Sequence, residues 1–442
     1  MGAGKSTIGE EVARQSGRPF VDLDRELEQR HGPIAEQFER SEAEFRRAEE
    51  QLATEALASS EPAVVSLGGG AVLSGRTREL LRGRAYTLWV SVDVDEAWRR
   101  VGGGDRPLAR DQGDFKRLYD ERRPLYEEVS AGTVETAEDS PLAALCVRVE
   151  RGALQRFTPD ADVAVIADEH VVDLHPLTFG RIHSVPRGEA AKTAAVVERL
   201  WNELELGRGG TIIGYGGGST TDVAGFVAAT FLRGVRWLTV PTTLLGQVDA
   251  AIGGKTAIDL PAAKNLVGAF HYPDGVIVDP DVLATLEDAQ RREGMAEVVK
   301  TGLLAGRPLW ELDELEMIRG AAAFKAAVCL GDPFDTGRRA ILNLGHTFAH
   351  ALEAAARYQS VTHGDAVALG LLAALRLSGR PTSVVEDVLA PQPVHVDRER
   401  AWAALGRDKK RGLVLLGEHG PEWDVQVPEA EVRRALDELI AD

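Results

Sequence analysis

The stretch TIIGYGGGSTTDVAGFVAATF, residues 211–231, reads as a strand, a glycine turn and a helix. A further strand pattern (VAVIAD, 163–168) and a helical pattern (190–206) precede it, and strands that alternate with helices indicate a parallel α/β sheet. The three glycines, 216–218, would let the backbone approach a pyrophosphate at the helix N-terminus. A glycine triplet fits a tight turn equally well, so the stretch predicts the fold and leaves the ligand open.

Composition limits the classes of function. The chain has 442 residues, which suggests two or three domains, and its net charge of −18 argues against binding to nucleic acids or membrane surfaces. The sequence has no long apolar run and no signal-peptide pattern, so we expect a cytoplasmic protein that binds small molecules. Cys146 and Cys329 fit reduced thiols in a core.

The order of patterns predicts three parts. Residues 1–155 alternate helices with short strands, as in a parallel α/β domain. An acidic stretch and a helical pattern over 142–157 suggest a boundary near residue 155. Residues 156–286 then form a Rossmann-like α/β part, and 287–442 form a mostly helical part, with a cleft expected between the two.

The first seven residues, MGAGKST, match the end of the phosphate-loop pattern GxxxxGK[ST] through Gly4, Lys5 and Ser6. Lys5 would reach the β- and γ-phosphates and Ser6 would ligate Mg²⁺, while a glycine-rich tail without a ligand is the alternative. The first glycine of the pattern and the strand before it would lie upstream of Met1. We therefore expect a weakened or absent ATP site.

Further charged residues and glycines follow in a recognisable order. FVDLDRELE contains two acids after a strand, EFRRAEE contains arginines, SLGGGAVL contains a glycine turn, and GGGDRPLAR and DERRPLYEEV each contain an arginine. Each of these fits a surface charge or a turn when taken alone. In this order, over residues 1 to about 150, they resemble shikimate kinase, a P-loop kinase with a parallel α/β fold.

This resemblance assigns roles by motif. Asp22 and Ser6 are the magnesium-linked residues, and Arg106 belongs to a lid over ATP. The implied ATP contacts are Gly2, Gly4, Lys5, Ser6 and Thr7. The implied shikimate contacts are Asp24, Arg46, Gly68, Gly69 and Arg122. Ser41 departs from the glycine that the family usually has, and the central strand of the sheet is missing.

A metal pattern lies in the second half of the chain. His346 and His350 are four residues apart on one predicted helix, Glu297 lies on an earlier helix, and His363 begins a later one. Three ligands with an open fourth position suit a catalytic zinc-type ion, although helix caps and polar core groups are the alternative. Thr347 stands where a metalloprotease has glutamate, which argues against peptidase chemistry.

The second half also carries a set of longer motifs. They are GGGSTTDVAGF (216–226), RGVRWLTVPTTLLGQVDAAIGGKTA (233–257), KNLVGAF (264–270), GMAEVVKTG (294–302), NLGHTFAH (343–350) and HGDAVALG (363–370). From about residue 160 to near the C-terminus, these resemble 3-dehydroquinate synthase. The family implies a divalent metal, zinc or cobalt, and NAD that is reduced and reoxidised in each turnover.

By this resemblance Glu297, His346 and His363 are the metal ligands, and His350 is a catalytic-pocket residue. The implied NAD-side residues are Asp168, Glu189, Lys192, Gly217, Gly218, Asp222, Thr242, Thr243, Lys264 and Asn265. The implied substrate pocket comprises Arg233, Asp249, Lys255, Lys300, Lys325, Arg339, Asn343 and either Lys409 or Lys410.

The two resemblances together predict a bifunctional enzyme that makes 3-dehydroquinate and phosphorylates shikimate with ATP and Mg²⁺. We expect it to form a homodimer through the synthase part. One alternative is an active synthase joined to a non-catalytic kinase remnant. The other is a metal- and NAD-dependent polyol dehydrogenase, which the lysines and arginines at matching positions disfavour.

Overall fold

The structure, a computed structural model, consists of two compact units, residues 1–148 and 149–442. It describes residues 2–59, 63–85, 87–101, 111–130, 132–134, 139–159, 162–261, 263–357, 360–408 and 412–441. None of the helices in these ranges is long and apolar enough to cross a membrane.

Within the described ranges, the first unit is built from short strands and eight α-helices. Its helices are α1 (Lys5–Ser16), α2 (Leu23–His31), α3 (Ile34–Arg40), α4 (Glu42–Ala58), α5 (Gly75–Arg84), α6 (Val94–Val101), α7 (Gln112–Val129) and α8 (Ser140–Ala144). Its strands are β1 (Phe20–Asp22), β2 (Val64–Ser66), β3 (Leu88–Val90) and β4 (Gly132–Val134).

The strands of this unit form two separate parallel pairs instead of one sheet. β1 pairs with β2, and β3 pairs with β4. Within the described ranges no strand connects the pairs, so β2 and β3 each have one edge without a strand partner. The parallel α/β fold predicted for this unit is confirmed.

The second unit is centred on a six-stranded sheet. Its strands are β5 (Val147–Val149), which begins two residues before the division between the units, β6 (Val163–Asp168), β7 (Arg181–Val185), β8 (Thr211–Gly216), β9 (Arg236–Pro241) and β12 (Gly275–Val278). They lie in the order β5-β12-β9-β8-β6-β7. The chain passes from β6 outward to β7 and then returns to the other side of β6, so the order reverses between β6 and β8. Such a switch point is where open α/β sheets bind ligands.

Burial explains why the two central strands β6 and β8 are mostly apolar. Every residue of β6 and β8 is buried. Ile166 packs toward helices α11 (Ala194–Glu203) and α12 (Gly218–Thr230), whereas Val165 packs against Tyr215 on the opposite face. Burial on both faces is expected for a parallel sheet covered on two sides.

The rest of the unit is mainly helical. Its remaining helices are α9 (Ala153–Arg156), α10 (Glu169–Leu174), α13 (Asp288–Ala305), α14 (Glu314–Gly331), α15 (His346–Ala355), α16 (His363–Leu377), α17 (Ser383–Leu389), α18 (Arg398–Asp408) and α19 (Glu429–Asp437). Two antiparallel hairpins complete it, β10 (Lys255–Leu260) with β11 (Ala263–Phe270) and β13 (Leu413–Gly417) with β14 (Gly420–Val425).

The division between the units differs from the predicted boundary after residue 155. The helix predicted over 142–157 is wrong, because the chain forms β5 there, between two short helices. Val149 starts the second unit, which places the division after residue 148. The further division at residue 286 stays a prediction.

Helices α15 and α16 touch through backbone atoms. A Cβ at Gly370 of α16 would overlap the carbonyl oxygen of Gly345 and lie 3.2 Å from the Ala349 N atom. Gly345 itself has φ of 79°, a left-handed conformation that favours glycine, and it caps α15 directly before His346. The glycine pair therefore determines how close His346 comes to α16.

We predict that Gly370→Ala lowers the free energy of unfolding by about 1–3 kcal/mol, because rigid backbone cannot move aside for the added methyl group. Gly406→Ala on α18 is the matched control, since nothing lies within 4 Å of its would-be Cβ. That variant should gain about 0.4–1 kcal/mol. Urea unfolding of both variants measures the difference, and equal stability of the two would contradict the packing argument.

Candidate functional sites

The carboxyl ends of β6, β8 and β9 bring together the first group of predicted cofactor residues. Asp168 ends β6 and Gly216 ends β8, and a Cβ at Gly216 would lie 3.0 Å from the Cβ of Asp168. The Thr242 N–H donates to the Gly216 carbonyl at 2.9 Å. A Cβ at Gly217 would lie 3.1 Å from Thr243 Cγ2. These residues thus surround the N-terminus of α12, at the switch point of the sheet.

A network of charged and polar side chains lies close to Asp222, in the second turn of α12. The Lys192 ammonium donates to Asp222 Oδ2 at 2.6 Å and also to Asn265 Oδ1. Lys264 Nζ lies 3.7 Å from Glu189 Oε1. Burial raises the pKa of Asp222 to about 6, although the Lys192 ammonium opposes this shift. The five predicted residues of this network are therefore close together in the fold.

The metal pattern forms a compact cluster. Glu297 of α13, His346 at the start of α15 and His363 at the start of α16 each offer one ligand atom, and these atoms lie within 4.8 Å of one another. Both histidine Nε2 atoms are 3.5 Å from Glu297 Oε1. His350 is exposed one turn after His346, with ring centroids 5.6 Å apart, and it lies outside the cluster.

Two buried lysines extend the cluster into a chain of alternating charges. Lys300, one turn after Glu297 on α13, contacts the Glu297 carboxylate and lies 3.7 Å from Asp249 Oδ1. Lys325 of α14 donates to the same Asp249 oxygen at 2.7 Å. Asp249 belongs to a π-helical turn, Gly246–Ala250, which turns its carboxylate toward both lysines.

The pKa shifts follow from burial and from these charges. Burial opposes ionisation of Glu297, but Lys300 and His346 hold the pKa of its carboxyl well below the usual range. Burial, assisted by the Lys300 ammonium, lowers the pKa of His346 to about 3. Burial also opposes protonation of His363, but Glu297 and Glu353 raise its pKa to about 10.

The cluster fits a divalent metal ion. Glu297 is 1% exposed; its Oε2 is paired with Lys300, while its Oε1 faces both histidine Nε2 atoms and has no hydrogen-bond partner within the described ranges. A buried acceptor without such a partner is costly unless something else satisfies it. Two imidazoles and one carboxylate are a ligand set that zinc accepts while keeping a fourth position open.

Other predicted substrate residues are held by the segment before α15. Arg339 is 2% exposed, and it donates to the carbonyls of Gly253 and Pro333 at 2.8 and 3.1 Å. The Asp332 carboxylate accepts three backbone N–H groups, including that of Arg339 at 3.0 Å. Lys255 donates to Asp335 at 2.6 Å. The guanidinium of Arg339 therefore donates hydrogen bonds to backbone carbonyls of the protein in this structure.

The remaining predicted residues of the synthase part make fewer hydrogen bonds and ion pairs within the described ranges. Asn343 is exposed directly before Leu344 and the α15 cap. Arg233 is exposed in a 3-10 turn with φ of 68°, and it makes no hydrogen bond or ion pair with the residues that the structure describes. Lys409 and Lys410 lie outside the described residues.

In the first unit, the residues predicted to end a phosphate loop lie at the start of α1. Gly2 and Gly4 have φ of 72° and 82°, and Gly4 caps α1, which begins at Lys5. Ser6 Oγ donates to Asp22 Oδ2 at 2.6 Å, so the two predicted magnesium-linked residues are in contact. Thr7 is exposed on α1, and Arg106 lies outside the described residues.

A second group of residues in this unit surrounds the glycine turn after β2. A Cβ at Gly68 would lie 2.8 Å from Asp24 Oδ1. Arg46 packs against Gly70, and Arg122 donates to the Gly69 carbonyl at 3.2 Å. Burial lowers the pKa of Arg122. Asp24 lies in the first turn of α2, two residues beyond the strand end where the pattern placed it.

The structure adds residues that the motifs did not single out. Glu49, 3% exposed, accepts from Arg46 at 2.7 Å, and Tyr126 donates to the Gly69 carbonyl at 2.6 Å. Glu353 contacts His363, and Asp335 contacts Lys255. For Glu49 and Tyr126, helical spacing was the sequence signal that could have identified them, because Glu49 is three residues after Arg46 and Tyr126 is four after Arg122.

Three family models match the chain. Shikimate kinase matches residues 1–153, the N-terminal part of 3-dehydroquinate synthase matches 182–293, and its C-terminal part matches 294–410. A solved structure of 2-deoxy-scyllo-inosose synthase, with carbaglucose-6-phosphate, NAD⁺ and Co²⁺, has a TM-score of 0.59 and 24% identity. It covers 66% of this chain and 96% of that chain, and at this identity it supports the fold alone.

Two curated relatives cover different shares of the chain. The 3-dehydroquinate synthase of Enterococcus faecalis is 37% identical over 62% of this chain and 88% of the relative. The bifunctional shikimate kinase/3-dehydroquinate synthase of Thermotoga maritima is 33% identical over 93% of this chain and 92% of the relative. The chain therefore belongs to the family of bifunctional shikimate kinase/3-dehydroquinate synthases.

Proposed function

We propose that the second unit converts 3-deoxy-arabino-heptulosonate 7-phosphate into 3-dehydroquinate and phosphate, using NAD and a divalent metal. We also propose that the first unit phosphorylates shikimate with ATP and Mg²⁺. The observation that carries the first assignment is the buried chain Glu297–Lys300–Asp249–Lys325 beside two histidines. A simple polyol dehydrogenase would have no anionic substrate for such lysines.

NAD would bind at the switch point of the sheet. The N-terminus of α12 presents free backbone N–H groups to a pyrophosphate, and the glycines leave room for it. Asp168, at the end of β6, is positioned for a ribose hydroxyl. Lys192, held by Asp222 and Asn265, provides a fixed positive charge near the same helix. When bound, NAD⁺ accepts a hydride from a ring carbon and later returns it.

Glu297, His346 and His363 would hold the metal ion. When bound, the ion polarises a substrate oxygen and lowers the pKa of its hydroxyl. Glu297 and Asp249 raise the pKa of Lys300, so its ammonium stays charged beside the cluster. Lys300 and Lys325 can then bind the substrate's anionic groups and stabilise enolate-like charge. His350, exposed next to His346, offers ring nitrogens that can hydrogen-bond a substrate held there.

The kinase assignment rests on the contacts around Gly68. Arg46 and Arg122 provide guanidinium groups for a carboxylate, and Asp24 can accept the proton of a hydroxyl. Ser6 and Asp22 would hold Mg²⁺ while Lys5 contacts phosphate oxygens. When bound, ATP supplies the transferred phosphoryl group. Because Gly68 has no side chain, a substrate ring can lie directly against Asp24 and Glu49.

A second candidate is an active synthase joined to a unit that binds shikimate without phosphorylating it. The strand pairs β1–β2 and β3–β4 favour this candidate, because within the part of the unit that the structure describes no strand joins the two pairs beside the phosphate loop. With either candidate function, we propose that the protein forms a homodimer through the second unit. We also propose that it acts in the cytoplasm.

Removal of the metal should stop the synthase reaction. We predict that chelation abolishes phosphate release from the heptulosonate phosphate and that added Zn²⁺ or Co²⁺ restores it. His346→Ala should lower the rate at least about a hundredfold, since one of three ligands is lost. His395→Ala, which changes an exposed histidine outside the cluster, should leave the rate unchanged. Phosphate release within threefold of wild type from the His346 variant would refute the ligand assignment.

The kinase reaction separates the two candidates. We predict shikimate-dependent formation of ADP and shikimate 3-phosphate, measured by mass spectrometry on the full chain. Asp24→Asn should lower this rate by about 10²–10⁴-fold, the usual contribution of a general base, without affecting phosphate release by the synthase. Asp120→Asn, an exposed aspartate on α7, is the matched control. If wild-type protein forms no shikimate 3-phosphate, the second candidate holds instead.

A further inference from the structure

Glu353 is a buried carboxylate that neither set of motifs assigns. It lies on α15, seven residues after His346 and three after His350, so helical spacing places the three on the same side of the helix. Only 7% of Glu353 is exposed. Glutamate is rarely buried to this degree unless it is paired, so the contact that it makes inside the unit is informative.

That contact is with His363. Glu353 Oε1 lies 3.3 Å from His363 Nδ1, and Glu297 Oε1 lies 3.5 Å from His363 Nε2. Each ring nitrogen of His363 therefore faces its own carboxylate. A neutral imidazole carries one proton, so if Nδ1–H donates to Glu353, the lone pair of Nε2 is left for the cluster.

We propose that Glu353 is a positioning residue, which holds His363 in the Nδ1–H tautomer and directs its Nε2 toward the ion that Glu297, His346 and His363 would share. The proposal rests on the metal-dependent function proposed above. Glu353 does not contact the ion itself; it acts through His363, as outer carboxylates do in other histidine metal sites.

The other histidine is held differently. His346 Nδ1 lies 3.3 Å from the carbonyl oxygen of Leu344, so a backbone group of the same chain segment orients this ring. The orientation of His346 is thus insensitive to side-chain substitution. That of His363 depends on a carboxylate from another helix, and loss of this carboxylate leaves Nδ1 without its acceptor. The two ligands should therefore respond differently to mutation.

The test is Co²⁺ binding to the chelator-treated full chain, measured by competition with a chromophoric chelator and by the visible spectrum of the bound ion. Glu353→Ala should raise the Co²⁺ dissociation constant about 10–100-fold. Glu353→Gln keeps an acceptor but loses the charge, so it should raise the constant by a smaller factor, about threefold to tenfold. The position of the visible bands should also shift in the Ala variant, because the His363 ring is no longer held.

Asp365→Asn is the matched control. The substitution removes a negative charge two residues from His363. The Asp365 carboxylate accepts a hydrogen bond from Thr362 Oγ1 and does not contact the imidazole. Its Co²⁺ dissociation constant should stay within about threefold of wild type, because charge alone at this distance is screened by solvent. An Asp365→Asn effect as large as that of Glu353→Ala would overturn the positioning role.

The outcomes separate this proposal from the proposed function. Unchanged Co²⁺ affinity in Glu353→Ala, with wild-type binding intact and lost in His346→Ala, rejects the positioning role alone. Absence of Co²⁺ binding in the wild-type chain rejects the metal-dependent function as well. If Glu353→Ala does not fold, Glu353→Gln decides, since an unchanged dissociation constant in that variant contradicts the proposal and a raised one supports it.

Discussion

The buried ion pair between Glu297 and Lys300 is the interaction on which the synthase site depends. Both side chains are almost fully buried one turn apart on α13. Removing either partner would leave an uncompensated buried charge, which typically costs about 3–5 kcal/mol. The same carboxylate faces both histidines, and the same ammonium faces Asp249. One ion pair thus connects the metal cluster to the residues proposed to bind the anionic substrate.

The surrounding fold brings the other groups to this ion pair. Gly345 and Gly370 allow α15 and α16 to approach through their backbones, so two helices that begin with a histidine meet beside α13. The π-helical turn that carries Asp249 follows β9, whose carboxyl end also carries Thr242 and Thr243. The predicted cofactor and metal groups therefore belong to one compact unit.

Much of this arrangement could be predicted from motif order. The residues at 297, 346 and 363 and the glycines at the end of β8 were each open to another interpretation, and only their order among the longer motifs predicted a common site. Glu353 and Glu49 could not be found in this way, because a glutamate on a helix usually faces solvent and only the tertiary contact shows otherwise. β5 was missed because a three-residue strand is too short for periodicity to distinguish from a helix. The separate strand pairs of the first unit depend on long-range pairing, which local patterns do not report.

In the proposed synthase reaction, the second unit uses NAD without net oxidation of its substrate. The direct measurement follows phosphate release and NADH absorbance together while the full chain reacts with 3-deoxy-arabino-heptulosonate 7-phosphate, NAD⁺ and Zn²⁺. We expect many turnovers of phosphate release, with NADH never exceeding the enzyme concentration. NADH that accumulates in bulk while no phosphate is released would contradict it.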